Sequence, residues 1–140
     1  MSMNPPPSIV VPAFPSAHAV DLSRLLAAIA QVERVRGSHR RGSHGERGKY
    51  QMTRAAWDED AGGLPFAYAE NDAYSDIVAR ARLVRLRYEL LERRIQPTVF
   101  TLAYAWHSGL TATILRKWQP MEARDYAIRV ENLALERTTP

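Results

Sequence analysis

Cysteine is absent from this 140-residue chain. That removes disulfides, thiol nucleophiles and cysteine-ligated zinc, and it leaves the redox compartment undecided. No apolar run approaches the roughly 18 residues that a membrane span needs. The N-terminus also lacks the charged start and apolar core of a signal peptide, so any export is expected by another route or after loss of a leader. Internal repeats are missing too, and low complexity is confined to the first 20 residues. The composition is 46% hydrophobic and 24% charged, an ordinary globular balance at a length that suits one core. The net charge of +4, with a pI of about 9.8, favours a polyanionic partner: nucleic acid, an anionic membrane or an acidic cell-wall polymer.

Five of the nine prolines fall at positions 5, 6, 7, 12 and 15. Residues 1–20 are therefore read as a proline-rich tail, and residues 21–140 as the folded domain, onto which the apolar Ile9-Val10-Val11 could pack. Asp21 suits the N-cap of a first helix over about 22–35, ended by Gly37. Glycine, serine, histidine and arginine then make 37–48 a loop. A short extended piece at Lys49-Tyr50-Gln51-Met52 precedes Thr53, the cap of a brief helix through Trp57 to Glu59. Gly62-Gly63-Leu64-Pro65 breaks the chain. Asn71 or Asp72 caps a long helix to about Arg94, with an inward stripe read as Ile77, Ala81, Val84, Tyr88 and Leu91 and with arginines, Arg82 among them, mostly flanking it. Pro97-Thr98 opens a helix from Val99 to about His107, closed by Gly109. Another runs from Thr111 to about Trp118, and after Pro120 a last one from about Met121 to Glu136 turns Tyr126, Val130 and Leu133 inward. The expected fold class is mainly α, with about six helices and a small β element near residues 45–52.

Within that frame Glu33 stands out. Leu22, Leu26, Ile29 and Glu33 succeed one another at intervals of four, three and four. At about 100° per residue, positions 22 and 33 differ by about 20° around the helix axis. Glu33 thus shares the face that the leucines bury, in the last turn, where the helix dipole disfavours an anion. A carboxyl there either pairs with a base, for which Arg36, Arg40 and Arg47 are candidates, or tends to keep its proton.

Fifteen residues after Glu33 comes Gly48, eighteen after it Gln51, and twenty-four after it Trp57. Further on stand Ala105-Trp106-His107-Ser108-Gly109 and Asp125-Tyr126-Ala127-Ile128-Arg129-Val130. In these segments the chain resembles the lysozyme-like superfamily, specifically soluble lytic transglycosylase (SLT-type) domains and the related goose-type lysozymes. Those domains run from a helix ending in a catalytic glutamate, through a Gly-x-x-Gln loop and a short Trp-bearing helix, to an Ala-Tyr-Asn-x-Gly segment and a tyrosine in the last helix. The likeness covers about residues 22–136. Two positions depart from it: Arg34 stands where the family has serine, and His107 where it has asparagine. Histidine cannot offer both the donor and the acceptor of an amide.

The resemblance implies a peptidoglycan-cleaving enzyme with Glu33 as general acid at the N-acetylmuramic acid–β-1,4–N-acetylglucosamine bond. That role needs a carboxyl pKa raised toward about 6 or 7. SLT-type enzymes use the substrate's own 6-hydroxyl and need one glutamate and no cofactor, whereas hydrolysis uses a second carboxylate. Glu46 is the candidate for that second acid, since goose-type lysozymes carry an acid in a comparable place; its alternative is a salt bridge in the basic loop. Gly48, Tyr50, Gln51, Trp106, His107 and Tyr126 are the implied substrate-binding residues. Several of them also have a plain reading: loop satisfaction for Gln51, core packing for Tyr50, Trp106 and Tyr126. No metal is expected, because Ser38-His39-Arg40-Arg41-Gly42-Ser43-His44 lacks acids, and neither serine has an oriented base. Peptidoglycan glycan strands are the expected partner, with no membrane span. Nucleic acid is disfavoured because aromatics do not interleave with Arg34, Arg36, Arg40, Arg41 and Arg47. The site of action is inferred only from the substrate: the periplasm, the exterior, or a phage, virion or secretion machine. A lysozyme-like module that binds glycan or a protein with little or no activity is the competing expectation.

Overall fold

Leucine, alanine and isoleucine build the first helix, α1 (Leu22–Arg36), and Asp21 caps it by accepting from the backbone N–H groups of Ser23 and Arg24 at 3.0 and 3.2 Å. One face buries Leu22, Leu25, Leu26, Ala28, Ile29 and Val32. The computed structural model describes residues 20–36, 42, 44–115 and 121–136, so the proline-rich tail lies, but for Val20, outside the described residues. Within them the architecture is mainly α, with six α-helices. The one β-like feature among the described residues is an antiparallel bridge between Arg47 and Met52, within the stretch where a small β element is expected.

Thr53 caps α2 (Arg54–Asp60) by accepting from the Ala56 N–H. Trp57 at its centre is fully buried, and its Nε1 donates to the Leu64 carbonyl at 2.7 Å. The break at Gly62-Gly63 leads into a 3₁₀ helix, Phe66–Glu70, which local pattern did not suggest. Asn71 then caps α3 (Asp72–Glu92) by accepting from the Tyr74 N–H.

The α3 stripe differs from the expected one. Its buried residues are Ser75, Val78, Ala79, Arg82, Leu83, Leu86 and Leu90, whereas Ile77 and Tyr88 are 66% and 61% exposed. Both sets obey the helical period. The inner one wins because α2, the 3₁₀ helix and α4 pack against that side, even though it includes a serine and an arginine.

α4 (Val99–Ser108) starts in a reciprocal cap: Thr98 accepts from the Thr101 N–H, and Thr101 Oγ1 accepts from the Thr98 N–H. It packs against α1, α3, α5 and, most extensively, α6. Buried alanines on both partners, Ala103 and Ala105 on α4 and Ala123 and Ala127 on α6, permit a close approach of the two backbones. Gly109, at φ 90°, turns the chain into α5 (Leu110–Ile114). The helix ends at Ile114 with Leu115 as its C-cap, short of the expected end near Trp118, which itself falls outside the described residues. α6 (Met121–Ala134) buries Tyr126 and Val130 and half-buries Leu133. The last turns of α1 and α4 border one cleft, walled also by α2, α3 and the loop around residue 46.

Candidate active-site cleft

The loop that faces Glu33 is held by its own backbone. Gly42 N–H donates to the Glu46 carbonyl at 2.7 Å, and Arg47 and Met52 exchange a pair of bonds at 3.0 and 3.1 Å. Between them the Gly48-Lys49-Tyr50-Gln51 segment closes on itself: the backbone N–H and the Nε2 of Gln51 both donate to the Gly48 carbonyl, at 3.0 and 2.8 Å. Gln51 has φ 48°, a left-handed conformation that costs a non-glycine residue free energy and is tolerated where the surroundings fix it. Gly48 has φ 79°, and a Cβ there would overlap the Ala69 carbonyl oxygen. Glycine is required at that position by both conformation and space.

This loop and four helices enclose a cleft of about 470 Å³, within the range of small-ligand sites. Glu33 reaches it from the last turn of α1, Glu46 and His44 from the loop, and Gln51 and Met52 from the closed turn. Thr53 and Ala56 contribute from the start of α2, Arg82 from the middle of α3, and Trp106 and His107 from the end of α4. Two carboxylates, two imidazoles and one guanidinium therefore share a partly apolar cleft.

Glu33 is half-buried and Arg34 exposed. Of the bases considered for Glu33, Arg47 lays its guanidinium over the Phe66 ring at 4.8 Å, while Arg40 and the Arg36 side chain lie outside the described residues. Glu46 accepts from the His44 N–H at 3.2 Å, with the His44 ring 3.6 Å away. His107 packs on the Tyr126 ring with centroids 4.4 Å apart, and its Nδ1 is 3.2 Å from Ser108 Oγ. Among the described residues no group of three histidine, aspartate or glutamate side chains could hold a metal ion.

Three of the expected residues stand one layer behind the lining. Gly48 supplies the carbonyl that fixes Gln51. Tyr126 supports His107. Tyr50 meets the Trp106 ring edge-on at 6.2 Å and donates its hydroxyl to Asp76 at 2.5 Å. Burial, then the hydrogen bond and charge of Asp76, hold the Tyr50 phenol well above its ordinary range. For Asp76, burial works to raise the carboxyl, but hydrogen bonds from Lys49 and Tyr50 outweigh it and leave the group below its ordinary value.

Arg82 is the cleft residue that sequence reasoning passes over. Burial, the largest effect, weakens its hold on its proton, and the Glu59 charge opposes this only in part. Its guanidinium lies over Trp106 at 5.3 Å. The signal is present: Arg82 sits four residues from both Val78 and Leu86, in line with buried positions, yet its residue type reads as a flanking charge.

Glu33, Glu46, Gln51, Trp106 and His107 are thus brought to one cleft from separate parts of the chain. Comparison of the chain with protein families, with curated proteins and with solved structures found no match.

Proposed function

We propose that the cleft cleaves peptidoglycan glycan strands between N-acetylmuramic acid and N-acetylglucosamine, with Glu33 as general acid. The observation that carries this reading is the convergence of Glu33, Glu46, Gln51 and His107, drawn from three separate segments, on one cleft of about 470 Å³. Arg82, Trp106 and Met52 give the same cleft both a polar and an apolar wall, as a sugar ring requires.

In the proposed reaction the Glu33 carboxyl donates its proton to the glycosidic oxygen. The C1–O bond breaks, the N-acetylglucosamine hydroxyl leaves, and positive charge develops at C1 of the muramic acid. The 6-hydroxyl of that sugar attacks C1, and its proton returns to Glu33, giving a 1,6-anhydro end with no water consumed. A hydrolytic version would use Glu46 as the second carboxylate. Its contact with His44 favours the single-acid route, because that acid already serves the loop.

The second reading is a glycan-binding module of little or no activity. It is favoured by Arg34 beside Glu33 and by His107, whose ring packs on Tyr126 where an amide would offer paired hydrogen bonds. Loss of turbidity of purified peptidoglycan separates the two. Cleavage by wild type that falls by at least about 10²-fold in Glu33→Gln is the expected result, and equal rates would sink the enzymatic reading.

A further inference from the structure

Two arginines one turn apart on α3 face the same acids but divide them unequally. Arg85 donates through Nε and Nη2 to Asp60 at 2.7 and 3.0 Å, through Nη2 to Glu59 at 2.9 Å and through Nη1 to Glu89 at 3.0 Å. Arg82 reaches the same acids through Nη1 alone, at 3.5 Å to Glu59 and 3.7 Å to Asp60, beyond the ordinary span of a charged hydrogen bond. Among the described residues its Nε and Nη2 make no hydrogen bond. Yet Arg82 is only 9% exposed and lines the cleft. Those donors are not among the buried polar atoms that lack a partner, so what remains exposed of this largely buried guanidinium opens to the cleft, where an anion would meet a charge already stripped of most of its hydration. Its position over the Trp106 ring leaves the guanidinium edge as the direction of approach, and that edge matches a carboxylate bidentately.

We infer that Arg82, backed by Trp106, is the carboxylate-recognising corner of this cleft and gives it a preference for glycan that carries a free carboxylate. This rests on the glycan reading of the cleft, though not on cleavage. The shared chemistry has two sources on such a strand: the lactyl carboxylate of a muramic acid without peptide, or a carboxylate of an attached peptide stem. Glu46 lines the same cleft and as a carboxylate repels an anion, so the charge is met at Arg82 and the neutral sugar spans the remainder.

The test is equilibrium binding by titration calorimetry, in the full chain carrying Glu33→Gln so that ligand is not consumed. Four muramyl or chitin oligosaccharides of equal length serve as probes: free lactyl acid, lactyl methyl amide, peptide-bearing, and all-N-acetylglucosamine. Binding of an acid-bearing probe about ten-fold or more tighter than the amide, with the preference removed by Arg82→Met and partly kept by Arg82→Lys, is the expected result. Preference for the free acid assigns the lactyl group; preference confined to the peptide-bearing probe assigns the stem. Equal binding of charged and neutral probes, no binding of any, or a preference that survives in Arg82→Met would overturn the inference. The first two outcomes need no Arg82 variant, so a misfolded variant cannot hide them. If wild type does not cleave wall, or Glu33→Gln cleaves it equally well, while the Arg82-dependent preference is present, the reading of Glu33 as general acid falls and this one stands.

Discussion

The inner face of α3 carries Ser75 and Arg82 among its leucines and is buried, while the outer face carries Ile77, Ala81, Val84, Tyr88 and Leu91 and leaves Ile77 and Tyr88 open to solvent. By residue type alone the outer stripe is the better core. The difference teaches that neighbouring elements, more than the apolarity of a stripe, decide which face is buried. It also gives the two polar residues of the inner face their meaning. Ser75, small and buried, lies beneath the closed loop, where a Cβ on Gly48 would come 3.5 Å from its Oγ. Arg82 opens into the cleft.

Mutations that exchange the roles of the two faces break or sharpen this contrast. Leu86→Ala, on the inner face, is expected to lower stability by about 2–5 kcal/mol through lost burial and a residual cavity, read from denaturant midpoints at constant slope. Gly48→Ala ranks next, at about 1–3 kcal/mol, because the new methyl must displace the Ala69 carbonyl in a left-handed conformation. Arg82→Met should cost only about 1 kcal/mol, since Arg85 retains Glu59 and Asp60. A loss as large as that of Leu86→Ala would make Arg82 a structural ion pair instead. Tyr88→Ser and Ile77→Ser on the outer face are expected within about 0.5 kcal/mol of wild type; a larger loss would show that something covers that stripe.

The loop beneath the cleft gives a pH-dependent counterpart. Asp76 is held below its ordinary value of 3.8 by Lys49 and Tyr50 against the opposing effect of burial. A carboxyl lowered in the folded state contributes stability above its unfolded pKa and loses it as the pH falls through the folded pKa. The gap in Tm between wild type and Asp76→Asn should therefore be full above about pH 4 and close below it. Asp76 is about half exposed, so the gap is small and screened by salt.

Much of the helical order was legible because it rests on local chemistry: Asp21, Thr53, Asn71 and Thr98 each cap the helix that their position announces. The face of α3 was not legible, since two stripes obeyed one period and only tertiary neighbours chose between them. The 3₁₀ helix was missed for a related reason: its buried residues, Phe66 and Ala69, answer to contacts with α2 and α3 more than to a pattern of their own. At the cleft, Glu33 was legible as a candidate from its helical spacing and residue type, and Glu46, Gln51, Trp106 and His107 only through the resemblance. Arg82 was not, because an arginine among arginines reads as surface until its burial is known.

The most direct test of Glu33 as general acid is mass spectrometry of the soluble fragments that wild type and Glu33→Gln release from purified peptidoglycan. Wild type should release muropeptides with 1,6-anhydro ends, lighter by one water than hydrolysed ones, and Glu33→Gln should release almost none. Equal yields from the two proteins, or no glycan cleavage by wild type, would contradict the account.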